Sequence, residues 1–444
     1  MRELKGDWRD LFNGFMVALD LRKCFLALCG IVVTIILCGG LTITLGHTLD
    51  KPTVNAPRDL VLHKWWGAQM SAWDVIYDGA YAADGSRLPN TLVAIAYTIV
   101  FALLFIAIWS YFGGAIARIA AYEIAKDGER IETRKALQFS RKKFWSFFWA
   151  PLICVIGFLF FALCNWVGGL IGRVLDLAWI GAPLVALLLP LAILSGFIMT
   201  LIAVGTFAGF PLFAPAVAAE GTDSFDAVSR GFSYVYSRPW HYLWYQVVTS
   251  AYGYLCIGFV ILFAVTMCYL GLEAGREGFE LSGLWKAREG DSSFGDVANA
   301  SWHLILSDQH HAGSYRWDPT SIATGPHPYG RLQVLSNAIV GVNHQSLGDL
   351  KGSHAVAGFL VTLWLAITLG LALGYVVSYF ISQQTMIYFI LRKKVDGIEM
   401  NEVFEESEEE AKPVEGGPAP ETAKPPEGAK AEPKPSEPPQ EEKK

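Results

Sequence analysis

Six long apolar stretches alternate with polar segments along the chain. Each exceeds the roughly 20 residues that a helix needs to cross the hydrocarbon core of a bilayer. The pattern therefore predicts an all-α integral membrane protein with six transmembrane helices. We place these spans at residues 24–46, 92–121, 147–170, 177–215, 242–272 and 355–391.

The fourth span is unusually long, at 39 residues, and Pro183 and Pro190 offer places for the chain to turn. One alternative is therefore a tight hairpin of two spans. The second and sixth spans are also long, at 30 and 37 residues. Because helices that tilt or protrude account for all three lengths, we predict a single helix over 177–215.

Each odd-numbered span is preceded by a segment that predicts an amphipathic helix in the membrane interface. In the clearest case, Phe225, Val228 and Phe232 recur at helical spacing, with polar residues on the other faces. Asp223 is the expected N-cap of this helix, and Pro239 is expected to end it. The three interfacial helices are predicted at residues 4–22, 131–146 and 223–238.

The even-numbered spans share an ending, in which an apolar run is followed by an acidic residue and a glycine: "AAYEIAKDG", "FAPAVAAEG" and "FILRKKVDG". The first two endings also match at several positions when shifted by 93 residues. We therefore predict three parallel units related by rotation about the membrane normal, with Asp127, Glu220 and Asp396 at one depth. The alternative is that similar flanks arise independently around any membrane hairpin. The units are 1–128, 129–221 and 222–397, the last with an external insertion at 271–353.

Lysine and arginine residues are concentrated on one side of these spans. The pieces on the N-terminal side hold 18 of them in 74 residues, against 11 in 135 on the other side. The positive-inside rule then predicts that both termini are cytoplasmic, in a multi-pass protein of the cell (inner) membrane. Because no cleavage site follows the first apolar run, we expect that run to remain as an anchor.

The composition limits the partners of the protein. With 53% hydrophobic residues and a mean hydropathy of +0.35, the chain is too apolar for an ordinary soluble protein. The net charge of −6 comes from residues 398–444, which hold 14 acidic residues and six lysines. No basic footprint for a nucleic acid is present, so the lipid bilayer is the expected partner. The proline-rich tail 398–444 is predicted to be disordered, either as a tether for a protein partner or as a solubilising segment.

The external segment 271–353 holds the side chains that most resemble a site. Imidazole and carboxylate groups bind zinc, but these residues match no established ligand spacing, so we predict no metal site. No catalytic signature occurs in the sequence, and we predict no catalytic residue and no cofactor. All seven cysteines lie in or beside apolar runs, which is typical of packing residues. The side chains considered as metal ligands are His303, Asp308, His310, His311 and His327.

The spans carry essentially no ionisable side chains, which argues against a proton- or ion-coupled pump. Asn165 and Gln383 are expected to hydrogen-bond between helices rather than to bind a substrate. Two Gly-xxx-Gly pairs, Gly168 with Gly172 and Gly370 with Gly374, offer close helix contacts. The external loops 47–90 and 271–353 are rich in tryptophan, which predicts a small cap buried between them or aromatic residues lying on the outer membrane surface.

The segment "FAPAVAAEGTDSFDAVSRGFSYVYSRPWHYL", residues 213–243, resembles one that is common in bacterial multi-pass proteins without assigned activity. These include the membrane domain that accompanies some glycerophosphodiester phosphodiesterases and, more distantly, choline-transporter-like proteins. The resemblance implies no catalytic residues, and the phosphodiesterase domain itself has no counterpart in this chain.

Three function classes fit these patterns. A structural or membrane-biogenesis protein is favoured, because no catalytic or coupling residue is visible. A passive transporter or permease for a lipid-related or small solute is the alternative, supported by the repeats and the glycine-rich spans. An enzyme that uses the external loop ranks third, so we predict that the protein is not an enzyme.

The predicted topology can be checked with cysteines introduced singly at Ser86, Ser293 and Ser407. In intact cells, positions 86 and 293 should react with an impermeant maleimide, whereas position 407 should react only after permeabilisation. The parent chain, with its seven native cysteines, is the control. Labelling of position 407 in intact cells, or protection of position 293, would contradict the orientation.

Overall fold

The structure is a computed structural model that describes residues 6–46, 76, 88–176, 180–280, 301 and 353–405. These residues are almost entirely helical and include no strand. A short 3-10 helix at Trp8–Asn13 precedes the first α-helix. In chain order the helices are α1 (Gly14–Ala18), α2 (Leu21–Gly46), α3 (Leu88–Ala125), α4 (Thr133–Lys142), α5 (Phe144–Asp176), α6 (Gly181–Glu220), α7 (Ser224–Ser237), α8 (Pro239–Glu280) and α9 (Ser353–Val395).

Six helices in the described ranges, α2, α3, α5, α6, α8 and α9, are long and apolar enough to cross a membrane, as predicted. The fourth span, α6, is one continuous helix, so the hairpin alternative is wrong. Pro183 lies in its first turn, where the missing N–H has no intrahelical partner to lose. Pro190, Pro211 and Pro215 lie further inside α6. Proline is tolerated there because neighbouring groups in a bundle can satisfy the freed backbone carbonyls.

Short helices precede each odd-numbered span, as predicted. Before α8, the Asp223 carboxylate accepts a hydrogen bond of 2.9 Å from the Asp226 N–H and caps α7. Helix α7 ends at Ser237, and Pro239 begins α8, where its fixed backbone angle suits the first helical turn.

The helix predicted over residues 4–22 is instead divided. The 3-10 helix passes into α1, which ends at Ala18, and α2 begins at Leu21. Asp20 separates them, because its carboxylate accepts a hydrogen bond of 3.0 Å from the Arg22 N–H at the start of α2. The chain therefore changes direction at Asp20, between α1 and α2.

At one end of the bundle, the even-numbered spans α3, α6 and α9 pack on one another. This end, which we call the base, carries the N-termini of the odd-numbered spans and the C-termini of the even-numbered ones. Helix α9 is enclosed there, since the six consecutive residues from Met386 to Leu391 have no exposed surface. The odd-numbered spans pack outside this core, α2 against α3 and α9, α5 against α6 and α3, and α8 against α9.

The short helices connect neighbouring spans in a cyclic order. Helix α4 packs on α3, α7 packs on α6, and α1 packs on α9. Each therefore contacts the even-numbered span of the preceding predicted unit, and the first unit contacts the last. This order is what a rotation about the membrane normal produces, although superposition of units 1–128, 129–221 and 222–397 stays a prediction.

The recurring acidic-Gly endings are left-handed turns. Gly128, Gly221 and Gly397 have φ angles of 94°, 65° and 72°, values that a side chain with a Cβ atom rarely adopts. In α6, the Gly221 N–H donates to the Val217 carbonyl and closes the helix. Glycine is suited to each of these positions because the backbone adopts a left-handed conformation just after the even-numbered span.

The opposite end of the bundle is more loosely packed. The most apolar window of α6 contains no buried residue. Leu187 and Leu191 of this helix are 75% and 64% exposed. Surface of this kind is suited to lipid chains, because no water is present there to penalise its exposure.

The beginning of the predicted tail 398–444 belongs to the bundle. Met400 is 5% exposed, and the Phe404 N–H donates a hydrogen bond of 2.8 Å to the Ala219 carbonyl. Met400 and Val403 belong to the apolar core of the base, and the Phe404 ring lies beside Gly221 at the end of α6. The rest of the predicted disordered tail, 406–444, lies outside the described residues.

One of the two glycine pairs is confirmed as a close helix contact. A Cβ atom on Gly374 would lie 2.4 Å from the Cys24 carbonyl oxygen of α2, and one on Gly370 would lie 2.7 Å from Leu28. In the other pair, Gly172 lies against Val185, whereas Gly168 has no described atom within 4 Å of such a Cβ.

Gly374→Ala should therefore destabilise the bundle, because the new methyl group meets backbone rather than a flexible side chain. We expect a loss of about 1–3 kcal/mol, seen as a lower melting temperature of the detergent-purified protein. Gly258→Ala in α8 is the matched control, since a Cβ atom there meets nothing within 4 Å. Equal melting temperatures for the two variants would contradict the close α2–α9 contact.

Candidate functional site

A buried ion pair joins the start of the first span to the end of the second. The Lys23 ammonium lies 2.6 Å from the Glu123 carboxylate and donates a further hydrogen bond of 2.5 Å to the Val17 carbonyl. The Lys23 side chain has no exposed surface, and that of Glu123 is 8% exposed. Because either charge alone would be costly to bury, the pair favours one register of α2 against α3.

Arg118 of α3 contacts three other parts of the base. Its guanidinium donates hydrogen bonds of 2.7 Å to the Ala218 carbonyl at the end of α6 and 2.5 Å to the Phe404 carbonyl. It also lies 4.3 Å from the centre of the Phe139 ring in α4. The last carbonyls of a helix have no intrahelical donor, so the arginine satisfies a group of α6 that would otherwise need another partner.

The acidic residues that end α6 and α9 meet at one arginine of α7. The Arg230 guanidinium lies 2.9 Å from the Glu220 carboxylate and 3.7 Å from that of Asp396. Tyr388 donates a hydrogen bond to Glu220 and Tyr234 donates one to Asp396, each at 2.5 Å. The interfacial helix α7 thereby holds the ends of two even-numbered spans together.

The electrostatic environment moves the pKa values of Tyr234 and Arg230 away from neutral pH. Burial raises the pKa of the Tyr234 phenol, and its hydrogen bond to the charged Asp396 raises that pKa further. Burial lowers the pKa of Arg230, but Glu220, Tyr388 and Tyr234 together outweigh that effect, so the pKa of Arg230 is raised. Proton transfer near neutral pH needs groups whose pKa lies near the working pH, and these two are moved away from it.

The segment after α9, residues 396–404, packs on the base, and we call it the strap. Arg392, 2% exposed, donates hydrogen bonds to the carbonyls of Glu399 at 3.1 Å and Glu402 at 2.5 Å. The strap is also held by the contacts of Phe404 with Ala219 and Arg118. It therefore connects the ends of all three even-numbered spans.

Several polar side chains inside the described spans bond to one another or to backbone. Gln246 of α8 and Gln384 of α9 exchange two hydrogen bonds, of 2.8 and 3.0 Å. Asn165 of α5 donates to the Ser195 hydroxyl of α6 at 2.8 Å, as predicted. Gln383 donates to a backbone carbonyl of the 3-10 helix at 2.9 Å, so it also bonds within the bundle, but to a surface element rather than to another span.

The residues considered as metal ligands, His303, Asp308, His310, His311 and His327, lie outside the described residues. So do the tryptophans of the predicted external cap. In the part of the chain that the structure describes, no group of three or more His, Cys, Asp or Glu side chains could hold a metal ion. The seven cysteines are free, four of them buried, while Cys164 is exposed on α5.

The sequence patterns did not anticipate the charged groups of the base. Lys23 and Glu123 are flanking residues of spans, where exposure to water or headgroups is the usual expectation. The position of Arg118 inside the predicted span 92–121 did indicate a buried charge. A charge within an apolar run requires a partner in the protein. The partners of Arg118 are backbone carbonyls distant in sequence, which no local pattern identifies.

No family model, curated protein or solved structure matches the chain. The resemblance of residues 213–243 to bacterial multi-pass proteins therefore stays an expectation from the sequence. In the structure these residues form the end of α6, all of α7 and the start of α8, around Glu220 and Arg230. They carry the contacts that close the base.

Replacing Lys23 by Met should leave Glu123 buried without its cation. We expect Lys23→Met to lower the free energy of unfolding by about 3–5 kcal/mol, measured by unfolding of the detergent-purified protein. The double variant Lys23→Met, Glu123→Leu should recover much of that loss, because no uncompensated charge remains.

Arg238→Met, which removes an exposed cation near the base, is the control and should stay close to wild type. If the single and double variants lose equal stability, the electrostatic account of this contact is wrong.

Proposed function

We propose that the protein is a structural or biogenesis-type component of the cell membrane, that it is not an enzyme, and that its base faces the cytoplasm. The observation that carries this proposal is the closed base, where residues 386–391 of α9 are fully enclosed by the surrounding helices. A route for a polar solute requires a path lined by water or polar groups. The centre of the described base is apolar and tightly packed instead.

The charges of the base support the same function. Lys23 and Glu123 are paired with each other, and Arg118 and Arg392 donate to backbone carbonyls at helix ends and in the strap. Coupled transporters use ionisable groups at membrane depth that change partner or protonation state during a cycle. Groups that bridge fixed backbone positions are suited to holding a bundle in one shape.

The orientation in this proposal rests on charge. The segments at the base hold most of the lysine and arginine residues, and short basic segments next to spans remain on the cytoplasmic side. The acidic, proline-rich chain after 405 would then extend into the cytoplasm, where it is available to a protein partner.

A passive permease for a lipid-related or small solute is the second candidate. The observation that favours it is the loose packing of the end opposite the base, where α5 and α6 expose most of their side chains. An apolar solute could enter between these helices from the bilayer. The resemblance of residues 213–243 is compatible with either function.

The two functions can be separated by reconstitution. Liposomes that contain the protein should release a small fluorescent solute, and should swell in glycerol, no faster than protein-free liposomes. Liposomes with an added pore-forming peptide provide the positive control. Flux above the protein-free rate would favour the permease.

The structural role predicts a defect in cells. Removing the protein should lower the abundance of a defined set of other membrane proteins, measured by quantitative proteomics of the membrane fraction. Wild type should restore them, and Lys23→Met should restore fewer, because its base is destabilised. An unchanged membrane proteome would contradict the structural or biogenesis function.

A further inference from the structure

An apolar groove lies between α2, α4 and α9, beside the base. It has a volume of about 310 Å³ and is lined by Leu21, Arg22, Phe25, Thr133 and Leu371. We call it the α2–α4 groove. That volume is at the lower end of the range for ligand pockets, which is about 300–1,000 Å³. Apart from Arg22 and Thr133, its lining offers only hydrocarbon.

The position of the groove places it where lipid chains meet their headgroups. Leu21 begins the first span, and the apolar window that follows runs from Leu21 to Thr42. Leu21 and Phe25 are 68% and 57% exposed, so their side chains face the surroundings rather than the core. At the first turn of a span, those surroundings are the boundary between acyl chains and headgroups.

A fixed cation lies at the mouth of this groove. The Arg22 guanidinium donates a hydrogen bond of 2.9 Å to the Ile131 carbonyl and lies 3.5 Å from the Asp20 carboxylate. Its side chain is still 34% exposed. The contacts hold Arg22 between α2 and the segment before α4, so little side-chain freedom is left to lose when an anion binds.

The neighbouring segment adds a surplus of positive charge. Residues 129–143 contain six lysine and arginine residues against two glutamates. Arg134 and Lys135 directly follow Thr133 in the first turn of α4, and both are exposed. Residues 129–143 therefore carry a net charge of +4, so the Asp20 carboxylate beside Arg22 is outnumbered by nearby cations. Basic residues at this depth attract anionic lipid headgroups.

We propose that the α2–α4 groove binds an anionic phospholipid from the leaflet at the base. One acyl chain lies along Leu21, Phe25 and Leu371, and the phosphate is held by Arg22 with Arg134 and Lys135. The groove by itself is too apolar to bind a phosphate, and the cations by themselves would not attract a hydrocarbon chain. The combination matches a molecule with both parts.

The test uses the full chain, purified from mixed phosphatidylglycerol and phosphatidylcholine membranes, with retained lipid counted by mass spectrometry. Wild type should retain phosphatidylglycerol in preference to phosphatidylcholine. The variant Arg22→Gln, Arg134→Gln, Lys135→Gln should reduce that retention by about tenfold. Retention of the two lipids in proportion to their supply would overturn the proposal.

The matched control is Arg141→Gln, Lys142→Gln, Lys143→Gln, which removes three charges from the same basic segment at the far end of α4. It should keep phosphatidylglycerol within about twofold of wild type, since these residues lie about two helical turns beyond Thr133, the residue of α4 that lines the groove. An equal loss in both triple variants would show general attraction to an anionic surface and no specific site.

Thr133→Glu provides a variant that should keep its fold. A glutamate in the first turn of a helix is favourable, yet here it places a negative charge at the mouth of the groove. It should lower retention of phosphatidylglycerol without lowering the melting temperature. Unchanged retention in Thr133→Glu would overturn the proposal even if the arginine variants failed to fold.

Headgroup-only competitors distinguish a lipid from a free anion. Excess inorganic phosphate or glycerol 3-phosphate should not displace the bound phosphatidylglycerol, because neither carries a chain for the groove. Displacement by either compound would show an anion site to which the apolar groove contributes nothing, and would also overturn the proposal.

Discussion

Removing a charged side chain from water costs free energy unless the charge gains a partner in the protein. The base of this bundle depends on the partners that its buried charges find. Lys23 and Glu123 offset this cost by pairing across α2 and α3. Arg118 offsets it by donating to the end of α6 and to the strap, and Arg392 by donating to the strap from α9. Each of these contacts joins elements that are distant in sequence, so the same interactions that satisfy the charges also hold the even-numbered spans together.

The cyclic order of the helices follows from where the even-numbered spans end. Each span is followed within three residues by a glycine in the left-handed conformation. The short helix that follows packs on the span just completed. In the third unit the chain instead forms the strap, while α1 from the beginning of the sequence occupies the corresponding place beside α9. The ring is closed by the two ends of the folded chain.

The two ends of the bundle are suited to different surroundings. The base combines buried charges, aromatic rings and tightly enclosed apolar residues, a packing that leaves one stable arrangement. The opposite end exposes large apolar side chains along α5 and α6, and lipid is the solvent in which that exposure costs little. Away from the base, the described surface is therefore suited to contact with lipid, and the α2–α4 groove lies beside the base.

The sequence by itself determined the helical class, the six spans and the short helices before the odd-numbered ones, because hydrophobic length, helical periodicity and capping are local properties. It also identified the acidic-Gly endings, since a left-handed turn needs glycine at that position. It also predicted that α6 is one helix despite its prolines, because a tilted or protruding helix accounts for its length. It did not show that Lys23, Arg118 and Glu123 are buried or that residues 398–404 pack on the bundle. Those outcomes depend on partners contributed by other helices. Only the tertiary structure decided them, because a buried charge is stabilised by whatever group folding brings beside it.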